Sequence, residues 1–347
     1  MTSRTRYFVI LSLSVVGVGV SSGLVAYYVG FPARAFASQG AEELQYVPRD
    51  ASVLAYVDVR EVMASELRQR VRRAMPVGHE DGQREFQNQT GINIETDIEH
   101  VVAYLQADAS GGSMPGSGMV LARGLFDEVK IESLMREHGA KVEQYKGKRL
   151  IVASPNGVAP AGDPNSTDPV PRNTPPNFAL SFLKPGLVAV GNADLIRHAV
   201  DLEKGGENVT SNTDLMNRVK SLDFGNAWAV GRFDVLQSAA KLPPGMNQLP
   251  AITWFSVTGR VNDAITGVVQ AEARNEDAAK NLRDVVRGFL ALAKLQAGSQ
   301  PALQAVIQSL DLGGTDNTVA LSFSVPGSVF DLMAPAREKS VEKPAAH

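Results

Sequence analysis

From Tyr7 to Phe31 the chain runs for twenty-five residues without a charge, and Arg4, Arg6, Pro32 and Arg34 flank the run. Phe8 to Ala26, at about 1.5 Å per residue, span roughly 28 Å as a helix, close to the hydrocarbon thickness of a bilayer. Tyr7 on one side and Tyr27 and Tyr28 on the other fall where amphipathic rings settle at the membrane interface. The expectation is a single transmembrane helix over 7–31, acting as an uncleaved signal anchor. A cleaved leader is the rival, because Ala35-Phe36-Ala37 offers an A-x-A site. The apolar stretch is about twice the length of an ordinary leader core, which favours the anchor. Arg4 and Arg6 in the six-residue head tip the charge balance toward a cytoplasmic amino terminus and an extracytoplasmic body, against Arg34 and Arg49 on the other side. Gly19 and Gly23 form a G-x-x-x-G pair, a candidate helix dimer contact.

The 347 residues contain no cysteine, which removes disulfides, thiolate nucleophiles and cysteine-held metals together. Lys and Arg number 34 against 37 Asp and Glu, so no global basic field exists to hold nucleic acid. Residues 32–47 read as a tether, and a folded body opens at Pro48-Arg49-Asp50. Residues 336–347 lack apolar periodicity and read as a disordered tail.

Within the body, segments recur in order. Val53 to Val59 resembles Ala229 to Val235, Gly118 to Arg123 resembles Gly267 to Glu272, and Ala179-Leu180-Ser181-Phe182 returns as Ala320-Leu321-Ser322-Phe323. This predicts two degenerate α+β repeats, 48–210 and 211–335, the first enlarged by a Pro-rich insertion over 154–177. Apolar periodicity predicts strands at 52–58, 100–107, 118–123, 149–154, 178–183, 187–191, 226–233, 252–259, 264–273 and 317–325. Helices are expected at 60–75, after Asp127, at 194–203, at 277–297 and at 301–310. Each repeat then reads as an antiparallel sheet with helices packed on one face, in the manner of a split βαβ unit.

The charge-free segment, the Pro48-Arg49-Asp50-Ala51 opening, the Val57-Asp58 strand end and the late Ala-Leu-Ser-Phe strand together resemble bacterial membrane-anchored envelope protein families of unknown function. The resemblance implies a bacterial envelope location, and with the anchor and its charge balance the expectation is the inner membrane with the bulk of the chain outside the cytoplasm. It supplies no activity, ligand or catalytic residue.

Searching for chemistry mostly finds absences: no G-x-S-x-G, no phosphate loop, no H-E-x-x-H and no dinucleotide fingerprint. No catalytic, cofactor or metal residue is assigned, and no cofactor is expected. Asp163, Asn165 and Asp168 begin like a calcium loop, but Asp168 stands where its glycine belongs and Thr174 where its bidentate acid belongs. Asp58 and Asp234, alike in the two repeats, are a candidate acidic pair across a pseudo-twofold axis, or simple helix caps. Arg68, Arg70, Arg72 and Arg73 form a candidate contact with anionic lipid or a partner, or an ordinary solvated face. Three functions follow: a non-catalytic envelope interaction or scaffold protein with a protein partner, a carrier of an apolar ligand between the repeats, or a hydrolase-type enzyme with scattered acids. The first is preferred, because the motif search is empty.

Overall fold

A computed structural model describes residues 42–74, 79–107, 118–153, 178–222, 225–235, 252–297 and 301–329. The expected membrane segment, Gly19 and Gly23, the Pro-rich insertion with its Asp163 and Asp168, and the tail lie outside these residues. Among the described residues no helix is long and apolar enough to cross a membrane.

The body is α+β, built on one antiparallel sheet of twelve strands in the order β11-β12-β10-β9-β8-β1-β2-β3-β7-β6-β5-β4. The first half contributes β1 (Ala51–Asp58), β2 (Ile98–Gln106), β3 (Gly118–Gly124), β4 (Lys141–Tyr145), β5 (Lys148–Ala153), β6 (Phe178–Lys184) and β7 (Leu187–Asn192). The second contributes β8 (Ala227–Arg232), β9 (Ile252–Val261), β10 (Ala264–Ala273), β11 (Asp311–Gly313) and β12 (Thr318–Pro326). Tight turns set the register locally. Lys146 and Gly147 both have positive φ in the two-residue β4–β5 hairpin, the geometry whose twist suits adjoining strands. Pro185 and Gly186, with φ 73° at the glycine, turn β6 into β7.

The two halves are joined edge to edge. β1 pairs with β8 from Val53↔Gly231 to Val57↔Ala227, with Leu54 opposite Val230. Aligning Val53–Val59 with Ala229–Val235 makes Leu54 and Val230 the same position of the two repeats. Outward from that seam the strand order is alike on both sides, β1-β2-β3-β7 and β8-β9-β10-β12, so β12 lies beside β10 as β7 lies beside β3. The strongest sequence match, Ala179–Phe182 with Ala320–Phe323, thus joins β6 to β12, which are not equivalent. Alternating small apolar strands resemble one another for chemical reasons that carry no topology.

Helices cover both faces, not one. On the front face, α6 (Ala193–Glu203) and α7 (Thr213–Lys220) bury Ile196, Val200, Leu215 and Val219 against Leu54, Tyr56, Tyr104, Leu121 and Trp228. On the back face, α5 (Glu128–Glu137) lays Ile131 and Met135 on Ala122, Ile151, Leu180 and Val188. Cross-strand pairs carry that back face from Ala122 through Val101, Val57, Ala227, Gly259 and Gly267 to Phe323. There α8 (Glu276–Gln296) packs Ala279 and Leu282 on Ala273 and Val319, on the same face as α5. The double cover has a plain cause: Met119-Val120-Leu121-Ala122 and Leu187-Val188-Ala189-Val190 are buried without alternation, and strands apolar on both sides need cover on both. In the second half the front face is polar, carrying Ser256, Gln270, Ser322 and Ser324.

The helix expected over 60–75 is broken at Ser65, whose ψ of 149° separates α1 (Val59–Ala64) from α2 (Glu66–Ala74). Short helices α3 (His79–Thr90) and α4 (Ile94–Asp97) follow, and α9 (Pro301–Gln308) precedes β11. Both sheet edges are short: three residues in β11, and in β4 five residues bearing Lys141 and Glu143. Beyond β11 the Ser324 amide donates to Ser309 Oγ at 3.1 Å, which closes another edge group.

Candidate functional site

Residues 42–47, expected to end a solvated tether, form a buried strap instead. Glu43 to Tyr46 make one 3-10 turn, and Leu44, Tyr46 and Val47 enter the front-face core. Val47 accepts the Val209 amide at 2.8 Å, and Arg49 reaches Glu207 by side chain and main chain. The body thus begins several residues before Pro48.

Glu43 is fully buried at the centre of a charged cluster. Arg123, from the end of β3, donates through Nε to Glu43 Oε1 at 2.7 Å and through Nη2 to Glu42 at 2.9 Å. Lys184 Nζ holds Glu42 from the other side at 2.7 Å. His100 Nε2 lies 3.3 Å from Glu43 Oε1 but is not aligned as a donor, and Glu43 Oε2 accepts no hydrogen bond. Register explains the meeting: Arg123 pairs with His100 across β2–β3, and His100 with Asp58 across β1–β2. Tyr56 follows on the same face, its ring 5.6 Å from His100 and stacked on Trp228 at 6.2 Å.

Burial alone would push the Glu43 carboxyl up, yet His100 and Arg123 outweigh it and hold the group below the usual carboxylate range. Glu42 is lowered chiefly by the Lys184 hydrogen bond. Tyr46 and Tyr56 are pushed well up by burial, with Glu203 adding at Tyr46 and Asp58 at Tyr56, so both phenols stay neutral. A carboxylate, an imidazole and a phenol are the parts of an acid–base site, but here Glu43, His100 and Tyr56 are 0%, 5% and 1% exposed. A reacting group has no approach to them. The arrangement is a lock that fixes the strap to the sheet.

Asp58 and Asp234 are not brought together. The Asp58 amide bonds Asn226 O just before β8, whereas Asp234 lies beyond Arg232 at the other end of that strand, about 20 Å away along the six residues between. Asp58 caps α1 by accepting the Glu61 amide at 2.8 Å. Asp234 is held by Arg232, which lowers its pKa, and accepts the Val235 amide at 3.0 Å.

Arg68 is committed to Glu95 at 2.7 Å, so at least one charge of the arginine run is neutralised within the body. Arg70 lies with its Cδ beside Gly327. Arg72 and Arg73 belong to α2, and their side chains fall outside the description. Among the described residues no group of histidines and acids could hold a metal ion. A shallow depression lined by Arg274, Asn275, Glu276, Asp277, Asp316 and Asn317 is open to solvent. Its acids Glu276 and Asp277 occupy the first turn of α8 behind the Asn275 cap, where negative charge suits the helix dipole.

Among the described residues, α8 carries most of the exposed large hydrophobic side chains. Val285, Phe289, Leu292 and Leu295, spaced i, i+4, i+7 and i+10, are 37%, 56%, 57% and 79% exposed among the described residues. The sequence shows these apolar residues plainly, and their spacing fits a core stripe equally well. The tertiary placement shows where the stripe leaves the core: Leu282, one heptad before Phe289, is packed on the sheet, and Phe289, Leu292 and Leu295 lie beyond it. The strap escaped for the converse reason, since Ala41-Glu42-Glu43 reads as solvated until Arg123, His100 and Lys184 are known to face it. Comparisons with protein-family models, with curated proteins and with solved structures find nothing that matches this chain.

Proposed function

We propose that this chain is a membrane-anchored extracytoplasmic protein of a bacterial envelope, held by a transmembrane helix over 7–31, with a non-catalytic interaction or scaffold body of two fused repeats. The observation that carries the interaction role is the exposed stripe Val285, Phe289, Leu292 and Leu295 on α8. Helix faces recognised in partner grooves present apolar anchors at this spacing. The buried strap accords with the anchored arrangement, because it ties residues 43–47, the last of the expected tether, into the front-face core. The carrier alternative requires a cavity between the halves. At their seam β1 and β8 are instead bonded main chain to main chain.

Native mass spectrometry of the full-length protein, gently extracted from the membranes of its own organism, tests the reading. Discrete additional protein mass is expected for the wild type and its loss for Phe289→Gln/Leu292→Gln. A bare wild-type chain, or additional mass that the double variant retains, would overturn the assignment to α8. Additional lipid mass in place of protein would favour the carrier.

A further inference from the structure

The geometry points to a second membrane contact: Leu125 and Val129 enter the interface of the bilayer that the amino-terminal segment spans. This inference rests on the membrane-anchored reading above. Leu125 is 69% and Val129 78% exposed among the described residues, while Phe126 between them turns inward to meet Phe182 at 6.4 Å. Both outward residues are rigidly presented. The Leu125 amide donates to Asp97 O at 2.7 Å, the Gly124 amide to Gly186 O at 2.9 Å, and Asp127 caps α5 through the Lys130 amide at 2.9 Å.

Their place in the fold identifies the occupant. Arg123, two residues before Leu125, holds Glu42 and Glu43. Glu42 is the first described residue after the stretch 32–41 that links the body to the charge-free segment. Ten residues reach at most about 35 Å. The exposed apolar pair therefore stands at the end of the sheet where the chain enters the body, within the reach of that link from the bilayer. A contact of two side chains is weak by itself, but the anchor holds the body at high effective concentration, so a weak contact suffices.

The contact is apolar in character. Asp127, Glu128 and Lys130 are all exposed beside the pair, and Lys130 Nζ is turned to Asn88 O at 3.2 Å. The two acids stay in headgroup water, so the seating is shallow, needs no anionic lipid, and weakens as the anionic fraction rises.

A chain without cysteine allows one labelled position at a time. Full-length Val129→Cys and Asp277→Cys, each carrying an environment-sensitive dye, would be reconstituted in phosphatidylcholine vesicles. Asp277 is exposed in the first turn of α8, beyond the Ala273 end of β10, at the opposite end of the sheet. The dye at 129 is expected to be quenched by iodide several-fold less than the dye at 277, and to be quenched by lipids brominated on the acyl chain. Equal iodide quenching at both positions, with no effect of brominated lipid, would overturn the contact. Shielding that occurs in native membranes but not in pure lipid would overturn the bilayer as occupant in favour of a protein. Flotation of the unlabelled protein with the vesicles reads the anchor separately. Flotation with an exposed dye defeats only the contact, whereas failure to float defeats the anchored reading as well.

Discussion

Replacing Glu43 by alanine should loosen the point at which the chain enters its body. Glu43 is fully buried, and its carboxylate faces the Arg123 guanidinium at 2.6 Å and His100 at 3.3 Å. Removing one member of a buried ion pair leaves the other charge without compensation, at a cost of roughly 3–5 kcal/mol. Arg123 keeps Glu42 at 2.9 Å and is itself 20% exposed, so the lower end, about 3 kcal/mol, applies. For a body of this size that is a fall in Tm of about 6 °C, read by circular dichroism of the solubilised full chain. The effect is linked to pH with a definite sign. The folded-state pKa of Glu43 lies below its unfolded value, so the carboxylate's contribution is present above the unfolded pKa, near 4.5. It is lost as pH falls through the still lower folded pKa. The gap in stability between wild type and Glu43→Ala should therefore be widest near neutral pH and narrow on acidification. Glu43→Ala/Arg123→Met, which removes both charges, should be more stable than Glu43→Ala alone. A Tm within 1 °C of wild type for Glu43→Ala, or a gap that grows as pH falls, would refute the reasoning.

Gly124→Ala should be among the most damaging single-methyl changes, because the new Cβ would fall 2.1 Å from the Asp97 carbonyl oxygen. A loss of about 2 kcal/mol or more in urea denaturation is expected, and a neutral variant would show that α4 can withdraw. Asn226, fully buried at the head of β8, accepts the Val261 amide at 3.1 Å and donates to Val261 O at 3.4 Å. Asn226→Ala strands both groups and should cost about 2 kcal/mol, measurable by the same titration. Phe289→Gln, by contrast, alters an exposed position and should leave stability within about 0.5 kcal/mol of wild type while abolishing partner mass. A large loss of stability there would mean that the ring is packed in solution.

Ten of the twelve strands are legible in the sequence to within about two residues, because apolar runs bounded by Gly, Pro and Asn determine them locally. The missing two, β4 and β11, are edge strands whose Lys141-Val142-Glu143 and Asp311-Leu312-Gly313 carry almost no apolar signal. Helix starts were partly legible: Asp58 caps α1 and α5 begins just after Asp127, while Asn192 and Asn275 cap α6 and α8 just ahead of the starts expected at 194 and 277. Asn and Asp cap almost equally well, so adjacent candidates compete within a few tenths of a kcal/mol. Helix placement on two faces was not legible, since it depends on which strands adjoin. The strap was invisible for a related reason. Its buried Glu43 is tolerable in a core only because β2 and β3 bring His100 and Arg123 to it, while Lys184 at the end of β6 holds the exposed Glu42, and those three residues are scattered over more than eighty positions.

The β1–β8 seam sets a timetable. Val57 and Ala227 face each other across it although about 170 residues separate them in the chain. At 5–20 residues per second, β1 waits roughly 10–30 s after its own synthesis before its partner exists. Throughout that interval the strand that will lie at the centre of the sheet is an edge, five residues of unpaired main chain flanked by Leu54, Tyr56 and Val57. This favours keeping the first half unfolded or held until the second half has been made, and it makes the order of synthesis a part of the fold.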